Sequence, residues 1–440
     1  MKRIYYMVII AIVSLILLVA CGGSDNGTSP SGDMNAPTQP NENVQVQPPT
    51  TSDDSATGNV TPPLFEDEDN GNEVGFSQDV NVASGGRVSA VLASGDSSFA
   101  VLEDGSLWAW GINSVGIWGG MLGDGTTINR ERPVWIMDDV VSVFHGTLHG
   151  LAIRKDGSLW GWGFNGNMFE GLTIEPVEGR IGDGTTIDRL TPVFILDDVV
   201  SVSAGVSHSL AVRSDGSLWA WGSGRIGDGT TDSHLAPVRI MDNVVAVSAG
   251  LNHSLAIRAD GSLYAWGNNN LGQLGTGNTT FYSSPVRIKN NVIAILAGNS
   301  RSLAITSDGG LWAWGSNLMG MPGGSVWEAN DLTSPARIMD DVADVFFGSY
   351  AMYVLRSDRS LWAWGDNFVG QLGDGSGTRQ QNPVKIMDNV VSFSAGHAHA
   401  LAITNDGNVL AWGWNEHGQL GDGTTTNRTT PFRITEHILN

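Results

Sequence analysis

Cysteine is almost absent: Cys21 is the only one in 440 residues, so no internal disulfide can form and no thiolate cluster can hold a metal. Positive charge is scarce too. Lys and Arg number 23 against 45 Asp and Glu, a formal net charge of −22. Phosphate binding depends on Lys and Arg releasing counterions, so nucleic acid is excluded as the expected partner and solubility is the plainer meaning of the acidity. No nucleophile elbow, His-Glu zinc motif or phosphate loop occurs, so the sequence supplies no catalytic residue, no metal site and no cofactor.

Long apolar runs are missing except at the start. Lys2 and Arg3 precede an apolar stretch from Ile4 to Ala20, broken only by Tyr5, Tyr6 and Ser14, and small residues close it at Leu18-Val-Ala-Cys21. A charged start, a short apolar core and a small-residue cut site describe a secretory signal. About 17 residues could also just span a bilayer, but the placement of the only cysteine decides against a plain transmembrane anchor. The four closing residues resemble a bacterial lipobox, in which the cysteine receives a lipid such as palmitate and becomes the mature N-terminus. We therefore expect a signal peptide over 1–20, lipidation at Cys21, attachment to a membrane by that lipid, and an extracytoplasmic position in a bacterial cell envelope. Losing Lys2 and Arg3 takes the formal charge to −24.

Residues 21–86 read as a tether. From Gly22 to Gly86 the chain holds seven of its 16 prolines and eleven Asp and Glu, with no Lys or Arg. Low hydrophobicity with charge of one sign cannot offset chain entropy, so this stretch is predicted disordered. Some 65 flexible residues reach roughly 40–50 Å.

Residues 87–440 are a repeat. One phrase recurs seven times, its closing tryptophan falling at Trp110, Trp162, Trp221, Trp266, Trp314, Trp364 and Trp412, at spacings of 52, 59, 45, 48, 50 and 48 residues. Such periods mean solenoids, propellers or arrays. In the clearest copy Val199 to Ser203 reads as a strand, His208 to Val212 as a second, Asp215-Gly216 as a hairpin turn, and Ser217 to Trp221 as a third. A fourth, Pro237-Val-Arg-Ile240, recurs in every copy, and its leading proline suits an outer edge. The third strand is apolar on both faces, which a lone sheet cannot cover. Seven sheets around an axis can, which predicts an all-β, seven-bladed propeller of four-stranded antiparallel blades.

The phrase Trp266-Gly-Asn-Asn-Asn-Leu-Gly-Gln-Leu-Gly275, with close copies at Trp364 to Gly373 and Trp412 to Gly421, resembles the repeat of the regulator-of-chromosome-condensation family. The resemblance covers Val88 to Asn440. It implies a seven-bladed propeller closed by pairing strands from the two ends, so Phe432 to Ile434 is expected to complete the blade begun by Val88 to Trp110. The nuclear namesake exchanges nucleotide on a small GTPase and contacts chromatin, partners that an exported acidic chain does not meet. Exported bacterial members of the type include an inhibitor that caps a β-lactamase with one propeller face, so the resemblance implies protein binding.

Several residues invite a catalytic or metal reading. His149, His208, His253 and His399 each stand three residues after the repeat glycine, where other copies have Ser98, Arg301 and Ala351. Equivalent positions in separate blades lie too far apart to share one ion, so we expect structural imidazoles bonded to blade backbone. Gly-Asp-Gly-Thr-Thr, as at Gly123 to Thr127, provides one carboxylate per copy and reads as a turn, not a calcium loop. Copy six has Asp358-Arg359 where the others have Asp-Gly, so Arg359 must take a turn position that prefers positive φ.

Function is expected where the copies differ. Insertions at Ser114 to Met121, Phe164 to Gly179 and Leu318 to Leu332 all follow the third strand and so emerge on one face. Each carries Trp, Phe or Met that no blade requires, which predicts a protein-binding patch of Trp118, Met121, Met168 and Phe169, with Trp327 and Glu328 across the channel. The competing expectation is that the loops fold down and bury these groups locally. A monomeric, membrane-anchored interaction module is the functional expectation. A carbohydrate or cell-wall binding module is the alternative, kept open by Trp118 and Trp327, and an extracellular enzyme is the remote one.

Overall fold

The computed structural model describes residues 87–435 and 438, apart from 116–117, 167–178, 317–330 and 349–350. The signal peptide, Cys21 and the tether fall outside the described residues.

Seven four-stranded antiparallel sheets follow one another along the chain. The third is typical: Val199–Ala204 is innermost, His208–Arg213 and Leu218–Gly222 follow, and His234–Met241 is the outer strand. Burial follows that order, from nearly complete in the first three strands to alternating half-exposed residues in the fourth. Trp110, Trp162, Trp221, Trp266, Trp314, Trp364 and Trp412 are buried in the spaces between blades. Six of these donate the indole N–H to a backbone carbonyl of the preceding blade, at Gln419, Met121, Arg180, Ile226, Gln273 and Gln371, over 2.8 to 3.0 Å. Area burial and a satisfied donor thus bind the same side chain to its neighbour. The first tryptophan of each pair behaves differently. Trp219 is half-buried and donates to Ser217 Oγ of its own turn at 2.9 Å.

Ring closure differs from the expectation. The outer strand of the last copy, Arg428–Arg433, pairs with Val409–Gly413 of the same copy, with Gly413 opposite Arg428 and Ala411 opposite Phe432. The first blade is completed by its own outer strand, Arg130–Met137, paired with Leu107–Gly111. Phe432 to Ile434 therefore does not complete the first blade. Each copy contains all four of its strands, because the repeat begins at the inner strand and ends at the outer one, leaving none to exchange.

The seam between blades seven and one is held without strand exchange, by side chains and one backbone hydrogen bond. Ala93 N–H donates to Ser394 Oγ at 2.9 Å, Trp110 Nε1 to Gln419 O at 3.0 Å, and His397 N–H to Gly95 O at 2.7 Å. Val88, Val91 and Leu102 pack there with Leu401, Ile403, Ile434 and Ile438.

The Asp-Gly turns close as read. Asp215 Oδ1 accepts Ser217 N–H at 2.9 Å and its hydroxyl at 2.6 Å, and Gly216 has φ 79°. Arg359 holds the equivalent place at φ 65°. An L-residue there is disfavoured by roughly 1–2 kcal/mol. Arg359→Gly should raise stability by about 1 kcal/mol, read as a higher urea midpoint at unchanged slope. A lower midpoint would refute the strain.

Candidate functional site on the loop face

Antiparallel order puts the turn between strands one and two, and the long connection between strands three and four, on the same face. Each long connection leaves its third strand through glycine. At Gly222 φ is 103°, and a Cβ would meet Ser207 O at 2.3 Å, so no other residue fits.

A buried asparagine then braces the connection. Asn113, Asn165, Asn269, Asn367 and Asn415 are fully enclosed. Asn415 Oδ1 accepts Leu420 N–H at 2.9 Å while its Nδ2 donates to Asp422 Oδ1 at 3.2 Å and Thr424 O at 3.0 Å. The Gly-Asp-Gly-Thr-Thr carboxylates are consumed in the same network. Asp124 Oδ1 accepts Thr126 N–H at 2.9 Å and Asn113 Nδ2 at 2.9 Å, and Oδ2 faces Arg130 at 2.7 Å. Burial would raise the Asp124 pKa, but the bonds from Thr126 and Arg130 outweigh it and hold the pKa below the usual value. These loops are cross-braced turns, and among the described residues no group of three His, Cys, Asp or Glu is placed for a metal.

The repeated histidines are latches between blades. His149, His208, His253 and His399 reach Ser209, Ser254, Ser302 and Ser98 of the following blade through Nε2 at 2.8 to 2.9 Å. Their partner is thus a serine hydroxyl in the next blade, where blade backbone was expected. Ser98 and Ser302 in turn donate to Gln419 O and Gln273 O at 2.7 Å, so the imidazole proton sits on Nε2. Strand register also corrects one equivalence: Ser97 faces Gly111 as His208 faces Gly222, so Ser97, not Ser98, holds the histidine position in blade one. Between blades one and two, His145 takes the role, its Nε2 3.0 Å from Met121 O. Burial lowers the pKa of His145, His208 and His399 to about 4 and of His253 to about 3, and takes His149 well below its usual value. These rings are neutral structural groups.

The expected patch divides. Trp118 lies in a two-stranded hairpin, Ser114–Val115 against Trp118–Gly119, whose backbone alone is described. Met168, Phe169, Trp327 and Glu328 lie outside the described residues. Met121 is 2% exposed and packs with Leu148, Phe164 and Ile112. Its side chain is a packing group and offers a partner nothing.

Other apolar groups occupy the face instead. Phe368 is 77% exposed, and Ile128, Ile187 and Phe281 stand exposed in the same set of connections. Phe368 fills the variable position of the signature, where copies four and seven have Asn270 and Glu416. Comparing copies position by position would have found it, because there an aromatic replaces a polar residue. Toward the seam, Trp414 sits between His397 and His417, ring centroids 6.0 and 5.3 Å away, and His397 Nδ1 lies 3.4 Å from Asp96 Oδ1 of blade one.

The family described as RCC1-like domain matches residues 21–320 and 224–439. Among curated proteins, the E3 ubiquitin-protein ligase HERC2 of Homo sapiens is 30% identical over 145 residues, 31% of this chain and 3% of the ligase. Protein pim1 of Schizosaccharomyces pombe is 32% identical over 136 residues, 29% of this chain and 25% of that protein. The chain thus spans a third or less of these relatives. Among solved structures, yeast RCC1 (Prp20) bound to Kap60 superposes at TM-score 0.63 with 20% identity, covering 85% of this chain and 91% of that one. Human WBSCR16 superposes at TM-score 0.61 with 23% identity, covering 75% and 94%. At these identities the likeness shows the fold.

Proposed function

For a chain that belongs to the RCC1-like domain family, we propose a protein-binding propeller held at a bacterial cell envelope by acylated Cys21, its loop face turned to the partner. The observation that carries this reading is the exposed Phe368, on rigidly braced connections that also present Ile128, Ile187 and Phe281. Large apolar groups exposed at variable positions of a fixed scaffold mark interaction sites. Related propellers bind proteins: yeast RCC1 (Prp20) was solved bound to Kap60, and Prp20p has binding properties toward Gsp1p and histones. The lipid attachment rests on the N-terminal sequence.

A photo-crosslinking residue at position 368 should trap a protein in intact cells, whereas the same residue at the outer-strand position Trp135 should not. Equal trapping at both, or none at 368, would end the reading. Cys21→Ala should move the chain from the membrane fraction to the soluble one. The carbohydrate alternative has one observation in its favour, Trp414 flanked by His397, His417 and Asp96.

A further inference from the structure

Arg301 occupies the latch position of blade five, but its latch partner is missing. The serine that receives the imidazole in four other junctions is Met352 in blade six, as the pairing of Met352 with Trp364 shows. The alanine that ends most inner strands is replaced there by Phe347, and the guanidinium carbon of Arg301 lies 4.9 Å from the centre of that ring. Gly298 makes room for both, since a Cβ would meet Phe347 at 2.8 Å and Arg301 Cγ at 3.2 Å. Arg301 is partly buried, yet no ion pair or side-chain hydrogen bond to it exists among the described residues. Burial without a counter-ion lowers its pKa to about 10.

An arginine partly withdrawn from water without a counter-ion costs stability, and in a chain of net charge −22 its isolation is notable. Stacking on Phe347 covers the guanidinium from one side and leaves its N–H edge for the oxygens of a carboxylate or phosphate. Asn299, in the same turn, has a buried side-chain oxygen with no hydrogen-bond partner. The two ends of an amide are assigned from surroundings, so its NH2 can take that buried position, two residues before Arg301 in the chain. Arg301 pairs with Gly315, where the third-to-fourth connection of blade five begins, so the turn lies on the loop face.

We propose that Arg301 and Asn299 form an oxyanion seat on the loop face, which receives a carboxylate of the protein partner. This rests on the protein-binding reading above for the source of the anion, not for the seat itself. The test uses the full chain at pH 7.5, with sodium acetate or inorganic phosphate titrated against sodium chloride at equal ionic strength. Both oxyanions should raise the melting temperature by about 2 °C or more beyond chloride. Arg301→Gln should abolish that rise, Arg301→Lys should blunt it, and Arg301→Gln in chloride should melt no lower than the parent. An undiminished oxyanion response in Arg301→Gln, or a melting point several degrees below the parent in chloride, would overturn the seat. Crosslinking from position 368 separates the sources. At least a tenfold weaker yield in Arg301→Gln supports the partner's carboxylate, while an unchanged yield beside a lost oxyanion response would overturn it in favour of a free small anion.

Discussion

Taking the protein from pH 7 to pH 5 should remove about 6 kcal/mol or more of folding stability and lower the melting temperature by roughly 10 °C, before most carboxylates titrate. The cause is the set of inter-blade imidazoles. His145, His208 and His399, with pKa values near 4, and His253, near 3, stay neutral in the folded ring at pH 5, whereas in the unfolded chain they titrate near 6.5. A depressed histidine pKa means that the unfolded state binds the extra proton, so stability is full above about 6.5 and falls with pH until the folded value is reached. Each of the four contributes about 2 kcal/mol to the loss at pH 5, and His149 acts in the same direction. Geometry explains the depression. Nδ1 of His149, His253 and His399 is buried with no hydrogen-bond partner, so a second ring proton would enter a site without an acceptor.

Asp344 opposes this trend. Burial raises its pKa to about 7, against one bond from Val345 N–H, so its stabilising protonated form is gained as pH falls and offsets about 2 kcal/mol. Urea titrations at pH 7, 6 and 5 should show a net uptake of about three protons on unfolding near pH 5.5. A slope of one proton or less would mean that the latches accept protons in the native state. His208→Asn should reduce the slope by about one proton, which separates the latches from general acid effects.

Blade number, strand order and the burial of the closing tryptophans were legible because a seven-fold pattern supplies its own internal comparison. Trp221 alone could be core or surface, but seven copies two residues after a less buried aromatic or leucine fix a strand face. The Asp-Gly turns were legible for the same reason, and Arg359 because it broke the pattern. What stayed hidden depends on contacts between copies. The histidine partner is a serine one position beyond the histidine column, in the next copy, so spacing within a copy cannot reveal it. The one-residue offset of Ser97 and Ser98 arises because Gly95 is not the repeat glycine: Ala93 pairs with Ser98 as Ala204 pairs with Ser209, so Ser94 stands where copy three has Gly205. Closure was misread because family precedent was preferred to the phase of this repeat. At the loop face, Met121 resembled Trp118 and Phe169 as a spare apolar residue, yet it fills a gap beside Leu148 and Phe164. Only packing decides between those fates, and packing is not written in composition.

The second large effect concerns the seam. Replacing both Ile434 and Ile438 with alanine should cost about 6 kcal/mol, because each is buried to within 1% and large-to-small changes at such sites cost about 2–5 kcal/mol. Both lie beyond the last strand, so the substitution leaves all seven hydrogen-bonded sheets intact. What it empties is the apolar filling shared by Val88, Leu102, Leu401 and Val409, at the one junction where the chain does not continue from blade to blade. Every other pair of neighbouring blades is also tied covalently by its connecting turn. The seam has only non-covalent contacts, and Ile434 is held in place for them within blade seven by Thr435 Oγ1, which accepts Val409 N–H at 2.8 Å. Ending the chain after Arg433 should reproduce the loss, whereas ending it after Gly423 should abolish cooperative melting, since blade seven then also loses its outer strand. Hydrogen exchange separates this from a general weakening: Ala93 N–H, bonded to Ser394 across the seam, should lose protection before Ala249 N–H, bonded to Ser203 between blades three and four. Simultaneous loss at both, or a double substitution costing under 1 kcal/mol, would mean that the ring is held shut by something other than this filling.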